Sequence, residues 1–426
     1  METQIRFNFL HAADLHLDSP VQILSMSESS VLSKLSMATL DSLADLCTCA
    51  IDEKVDFIVL AGDVYDGIRR GIRAQLRLFN EMSRLKDYGI NVYMVHGNHD
   101  PIVGSKDISI KWPSNLFIFP TIPTTFSLEK EGETYCRITG VSYRSKHEDR
   151  NLALQFPNVR NSSFFEIAVL HTNIGSATEH GNYAPATLDD LLTKGYDYWA
   201  LGHIHKRAVL SENPVVIYPG NLQGLHMKPS ERGPKGAELV EVKGGTISHW
   251  AKAIAKVIFD QIDFDVSRYE TFESILHDLV QTIKSLSEGI FSTPLVVRIQ
   301  FIGVAVVDIE EAFRDLEGLS QVVTDEVIHS IPNVLVESVA SQVTPSRTLE
   351  DMVGLSDIIT ELIEEIERWQ SSDMEIGTDG MKDSSRRKVL QGLARLGLDD
   401  VLHYDQNDLL AAKGLLALLF SEEREN

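Results

Sequence analysis

Short apolar runs alternate with helix-period segments over the first 250 residues. FNFLHA (7–12), DFIVLAG (56–62), NVYMVHG (91–97), FEIAVLH (165–171), YWALGH (198–203) and VVIYPG (215–220) are short and almost continuously apolar, which predicts buried strands. GAELVEV (236–242) and TISHWAKA (247–254) predict two more. Residues 33–53, with Leu35, Leu40, Leu43 and Leu46 on one side, and residues 71–87 predict helices. Buried strands separated by helices imply sheets covered by helices, an α/β layered domain over 1–253. The pattern then restarts. Strand 255–264, helix 270–287, strand 293–303, a helix at 308–317 or longer, and strand 333–341 predict a small α/β domain over 254–344. Residues 345–426 read as a helical region: acidic at 348–369, a polar linker at 371–385, then a basic helix (386–397) and an apolar one (407–420).

Five polar clusters follow these strands. They are Asp14-Leu15-His16, Gly62-Asp63-Val64-Tyr65-Asp66, Gly97-Asn98-His99-Asp100, His171, and Gly202-His203-Ile204-His205. Open α/β sheets place ligand sites at such strand ends. Carboxylate, imidazole and amide oxygen together suit manganese, iron or zinc. The set lacks cysteine, which disfavours a structural zinc site, and is too rich in nitrogen for magnesium or calcium. It exceeds what one tetrahedral metal needs and suits two metals sharing a carboxylate. Such a pair can bind phosphoryl oxygens and acidify a water. The glycines at 62, 97 and 202 fit tight turns. His11 and His96 precede the clusters and read either as packing residues or as supports for the site.

Composition sets limits on partners and compartment. The net charge of −23 over 426 residues argues against a surface that binds nucleic acid everywhere, but most of the acidic excess lies beyond residue 250. Three cysteines are too few for a disulfide framework, and Cys47 and Cys49 point to different helix faces. No cationic leader and no membrane-length apolar stretch is evident, so the expectation is a cytoplasmic protein without a membrane span.

The motifs D-x-H, G-D-x-x-D, G-N-H-D, a lone His and G-H-x-H, in this order, resemble the signature of the calcineurin-like metallophosphoesterases. HAADLHLDSP (11–20), LAGDVYDG (60–67), VHGNHDP (95–101), LGHIHK (201–206) and YPGNLQG (218–224) resemble its DNA-exonuclease branch, the SbcD-like and YhaO-type proteins. RGPKGAELVEV (232–242) adds to the YhaO-type likeness. The resemblance implies a metallophosphoesterase domain, a capping domain and a helical C-terminus. It assigns one metal to Asp14, His16, Asp63 and His205. The other falls to Asp63, Asn98, His171 and His203, with Asp63 bridging. It makes His99 the proton donor or phosphate contact, Asp100 the group that orients His99, and Asp66 a support behind the ligands. His226 is a candidate substrate contact. The expected cofactors are two divalent ions, manganese for so imidazole-rich a set. The implied function is a two-metal phosphodiesterase, a DNA exonuclease acting on DNA ends with an SbcC-like coiled-coil ATPase. Homodimers would form through helix 33–53 or 71–87. A metallophosphatase or small-molecule phosphodiesterase, and a DNA-end-binding subunit with weak hydrolysis, are the alternatives. The apolar helix at 407–420 is too apolar for a free tail and either packs on its own protein or docks on the ATPase.

Overall fold

The computed structural model describes residues 6–20, 30–105, 108, 110–160, 162–175, 183–288, 293–306, 309 and 311–345. The expected C-terminal helices, linker and docking segment lie outside these residues. Twelve strands build two sheets. In chain order they are β1 (Arg6–Ala12), β2 (Phe57–Ala61), β3 (Asn91–Val95), β4 (Leu116–Ile118), β5 (Thr124–Lys130), β6 (Glu133–Val141), β7 (Phe165–His171), β8 (Tyr198–Gly202), β9 (Ala208–Glu212), β10 (Val215–Tyr218), β11 (Gly236–Lys243) and β12 (Thr246–Ala253). The first sheet runs β12-β11-β1-β2-β3-β4 and the second β5-β6-β7-β8-β10-β9. Both are mixed. β1, β2 and β3 are parallel, as are β6, β7 and β8, while β11 runs antiparallel to β1.

Strand alternation explains the uninterrupted apolar runs. Phe7, Phe9, Phe57, Val59 and Val95 turn one way from the first sheet and meet Ile138, Ile167, Val169, Tyr198 and Ile217 of the second. Phe9 stacks on Phe57 at 4.9 Å and meets Tyr198 edge-on at 5.2 Å. The intervening residues Leu10, Leu60 and Met94 turn the other way, onto helices α1 (Ser30–Asp52) and α2 (Ile72–Asp87). Trp199, Leu201 and Val216 do the same on the second sheet, against Phe156, Tyr196 and Leu191 of the short helix α3 (Leu188–Leu192). Each central strand is therefore apolar on both faces.

A third sheet follows in the order β13 (Ile258–Asp265), β14 (Leu295–Ile302), β16 (Val334–Ser341), with β15 (Val304–Ala305) paired to β17 (Thr344–Pro345). Helix α4 (Phe272–Glu288) links β13 to β14, and α5 (Leu316–Ser330) precedes β16. The second helix thus starts later than the pattern suggests, after a single 3-10 turn at Glu311–Phe313. The chain divides into two compact units. One runs through Gln261 and takes in Lys284–Arg298 and Ile331–Ser338. The other holds Ile262–Ile283, Ile299–Ser330 and, among the described residues, the chain from Val339. No helix of the described residues is long and apolar enough to cross a membrane.

His11 belongs to this packing. It is fully buried on β1, with Nδ1 3.0 Å from the Tyr198 hydroxyl and Nε2 3.1 Å from the Leu201 carbonyl. Burial lowers its pKa to about 4 against the opposing pull of Glu238 and the Leu201 carbonyl. The unfolded chain, at 6.5, then binds the proton more readily, so stability is present above pH 6.5 and is lost as the pH falls toward 4. The loss is on the order of 3 kcal/mol. Urea unfolding at several pH values should show this limb in the wild type and a flatter one in His11→Gln. Equal slopes in both would sink the assignment.

Candidate metal centre

The five clusters converge where β1, β2, β3, β7 and β8 end. The loops after β1 and β2 run side by side: Asp14 N–H donates to Gly62 O at 3.1 Å, His16 N–H to Asp63 O at 3.0 Å and Leu17 N–H to Val64 O at 2.9 Å. Four polar residues here hold backbone that L-residues rarely adopt, Asp14 (φ 51°), His16 (43°), Asp63 (49°) and His203 (106°). Strain of this kind persists where surrounding structure over-determines it, typically at a functional site. Of the three glycines read as turn residues, only Gly62 has a positive φ, 96°. Gly97 and Gly202 are there for space. A Cβ on Gly97 would collide with Asp63 Oδ1 and stand 2.8 Å from His171 Nε2, and one on Gly202 would collide with Ala61 O.

Three groups of side chains bring candidate ligand atoms within 4.8 Å of one another: Asp14, His16 and His205; His16, Asp63 and His99; and Asp14, Asp63 and His171. Asp14, Asp63 and His16 each belong to two of them, so the groups form one continuous centre. Its imidazoles are oriented from behind. His171 Nδ1 lies 2.9 Å from Ala61 O, His16 Nδ1 lies 3.1 Å from Asp66 Oδ1, and His205 Nδ1 bonds Glu231 Oε1. A neutral ring whose Nδ1–H donates outward leaves the Nε2 lone pair for the centre. His16 Nε2 and His205 Nε2 approach to 3.2 Å. Two lone pairs that close require a shared cation or proton. Two buried carboxylates facing these nitrogens supply the matching negative charge, so the donor set fits divalent metal.

The electrostatics agree. Burial disfavours a charged His16, yet the Asp66 hydrogen bond and the charges of Asp63 and Asp14 outweigh it and lift its pKa to about 9. His171 is lifted to about 9 as well, against its own burial, by Asp63 and Asp14. Asp63 is held below the ordinary carboxylate range, because the charge and hydrogen bond of His171 overcome its desolvation. The centre attracts positive charge.

The remaining expected residues fall around it. Asn98 is buried, with Oδ1 3.0 Å from His171 Nε2. His203 donates its backbone N–H to both Asp14 oxygens, at 3.1 and 3.0 Å, while its ring packs edge-on against His171. It is in none of the three groups, unlike the other expected imidazoles, His16, His171 and His205. His99 donates its backbone N–H to Asp63 Oδ1 at 2.8 Å and keeps a side chain 39% exposed, the most open histidine of the centre. Its expected partner differs. His99 Nδ1 lies 3.0 Å from Asp66 Oδ1, the oxygen that also serves His16. Asp100 instead turns inward, fully buried. It accepts from Gly97 N–H at 2.8 Å and Val64 N–H at 3.1 Å, and lies 3.1 Å from His96 Nδ1. Adjacent residues in a turn project in different directions, so Asp100 holds the loop and Asp66 meets the His99 ring. His226 is half-buried and feels the charges of Glu231, Lys228 and His205; its Nδ1 has no hydrogen-bond partner among the described residues.

Sequence reasoning missed Glu231 and Lys235. Glu231 is buried behind His205, and Lys235 Nζ donates to the His205 carbonyl at 2.6 Å. Glu231 immediately precedes RGPKGAELVEV and Lys235 lies within it, a segment that signals likeness to the YhaO-type proteins without marking either residue as part of the site.

Two facing mixed sheets with an Asp/His centre at their strand ends define a metallophosphoesterase. The chain belongs to the calcineurin-like metallophosphoesterase family. The family described as "Calcineurin-like phosphoesterase" matches residues 7–207. The chain is 38% identical over 299 residues to "Uncharacterized metallophosphoesterase YhaO" of Bacillus subtilis, covering 70% of this chain and 72% of that protein. It is 26% identical over 288 residues to "DNA double-strand break repair protein Mre11" of Sulfolobus acidocaldarius, covering 65% and 71% respectively. One of the subunits of the nuclease SbcCD of Bacillus subtilis is 24% identical over 281 residues, covering 58% of this chain and 68% of that one.

Proposed function

We propose that the protein is a two-metal phosphodiesterase that processes DNA ends. The observation that carries the reading is the continuous centre in which Asp14, Asp63 and His16 are each shared between groups of candidate ligand atoms. One position would be held by Asp14, His16, Asp63 and His205. The other would be held by Asp63, Asn98 and His171, with His203 beside it. Manganese suits the imidazole content better than magnesium does. Bound there, the ions would supply Lewis acidity toward phosphoryl oxygens and acidify a water. His99 would hand a proton to the leaving oxygen, a role supported by its exposure to solvent and its contact with Asp66. Asp100 keeps the loop that carries it in place.

DNA as substrate is supported by the relatives named for double-strand break repair and for a nuclease. That nuclease is named as an assembly of more than one chain, and we extend that to an ATPase partner here. Helix α2 leaves Ile72 and Leu76 exposed, and either it or α1 would form the face of a homodimer. The capping role of residues 254–344 is likewise part of this proposal.

Metal-stripped protein should be inactive, recover with manganese more than with magnesium, and cleave linear DNA much faster than phosphate monoesters. Full recovery in magnesium alone would overturn the metal assignment. Efficient monoester hydrolysis with inert DNA would transfer the protein to the phosphatases.

A further inference from the structure

The segment following the last site histidine closes around it. Glu231 has a side chain 1% exposed. Its Oε1 accepts from His205 Nδ1, and its Oε2 accepts from Asn221 Nδ2 at 2.7 Å and Leu225 N–H at 2.9 Å. Lys235 holds the backbone of the same histidine through its carbonyl. Gly220 permits the approach: its φ is 82°, and a Cβ there would stand 2.9 Å from His205 O. His205 is thus gripped at ring and backbone by residues of one stretch, 220–235.

The three oriented imidazoles differ in what stands behind them. His171 rests on a neutral backbone carbonyl, and His16 on Asp66, whose side chain is 43% exposed. His205 rests on a buried carboxylate. A buried anion at Nδ1 fixes the tautomer and makes Nε2 a stronger donor, an effect that solvent screens less than it does at Asp66. That Nε2 faces Asp14 and His16.

We propose, resting on the two-metal reading above, that Glu231 is a positioning residue which sets the affinity of one metal position, the one formed by Asp14, His16 and His205. The position around Asp63 and His171 does not depend on it. Glu231→Gln keeps the size of the side chain but offers one acceptor oxygen. It cannot serve His205 and the Asn221–Leu225 pair together, and it removes the charge.

The test is a calorimetric manganese titration of the metal-stripped full chain. The wild type should bind two ions. Glu231→Gln should weaken one step by about 10- to 100-fold and leave the other within about threefold; the buried donors it leaves unpaired lower its melting temperature, and the retained second step shows that the variant is folded. Equal weakening of both steps, or no change in either, overturns the proposal. A wild type that binds no pair of ions sinks the two-metal reading and this one with it, whereas a pair bound equally by the variant sinks only the role of Glu231. A second measurement needs no variant. The histidine 15N spectrum of the metal-free wild type at pH 8 should place the His205 proton on Nδ1. A proton on Nε2 alone overturns the proposal.

Discussion

Asp63→Ala should abolish both metal binding and turnover. Asp63 belongs to two of the three ligand groups. Its Oδ2 lies 3.3 Å from His171 Nε2, and its Oδ1 accepts the His99 backbone N–H at 2.8 Å. Removing it takes charge from both proposed positions and frees the loop that carries His99. A loss of about 10⁴-fold in kcat/KM is expected, equivalent to about 5.5 kcal/mol of transition-state stabilisation. Metal content by mass spectrometry should fall with activity. An alanine variant that retains both ions and activity within tenfold would remove Asp63 from the bridging role.

His99→Ala should separate the two properties. The ring is half-open to solvent and is held by Asp66, outside the most buried part of the centre. A proton donor of this kind contributes about 10²- to 10⁴-fold to turnover. The variant should lose that factor in kcat while keeping both ions. The geometry makes this a demanding test, because His99 also shares a ligand group with His16 and Asp63. Metal loss equal to that of Asp63→Ala would make His99 a ligand and end its assignment as the acid.

The strands buried on both faces were legible because alternation puts an apolar residue on each side, leaving continuous runs such as FIVLA. β5 and β9 were not. The residues of β5 and β9 are largely exposed or half-exposed, so TTFSLEK and AVLSE look like loop sequence. Helix α3, five residues long, is too short to show a period. The centre was legible as a set of residues at strand ends. Its second layer was not. Asp100 neighbours His99 in sequence, but its carboxylate is turned toward backbone N–H groups, and the group that meets the ring comes from another loop. Glu231 lies 26 residues from the histidine it supports, and nothing in local pattern marks such a pair. Close approach is equally silent in sequence, where Gly97 looks like any turn glycine.

The centre draws Asp14, His16, Asp63, Asn98 and His99 from loops of the first sheet, and His171, His203 and His205 from the second. Neither half contains a complete site. A nascent or partly unfolded chain in which only one sheet has formed therefore lacks part of the ligand set, and both proposed metal positions wait on the docking of the two halves. Bound cations would in turn act as a clasp across that seam, adding stability by mass action wherever they bind the docked state and not the separated one. If the proposed chemistry holds, this ties completion of the fold to control of the chemistry.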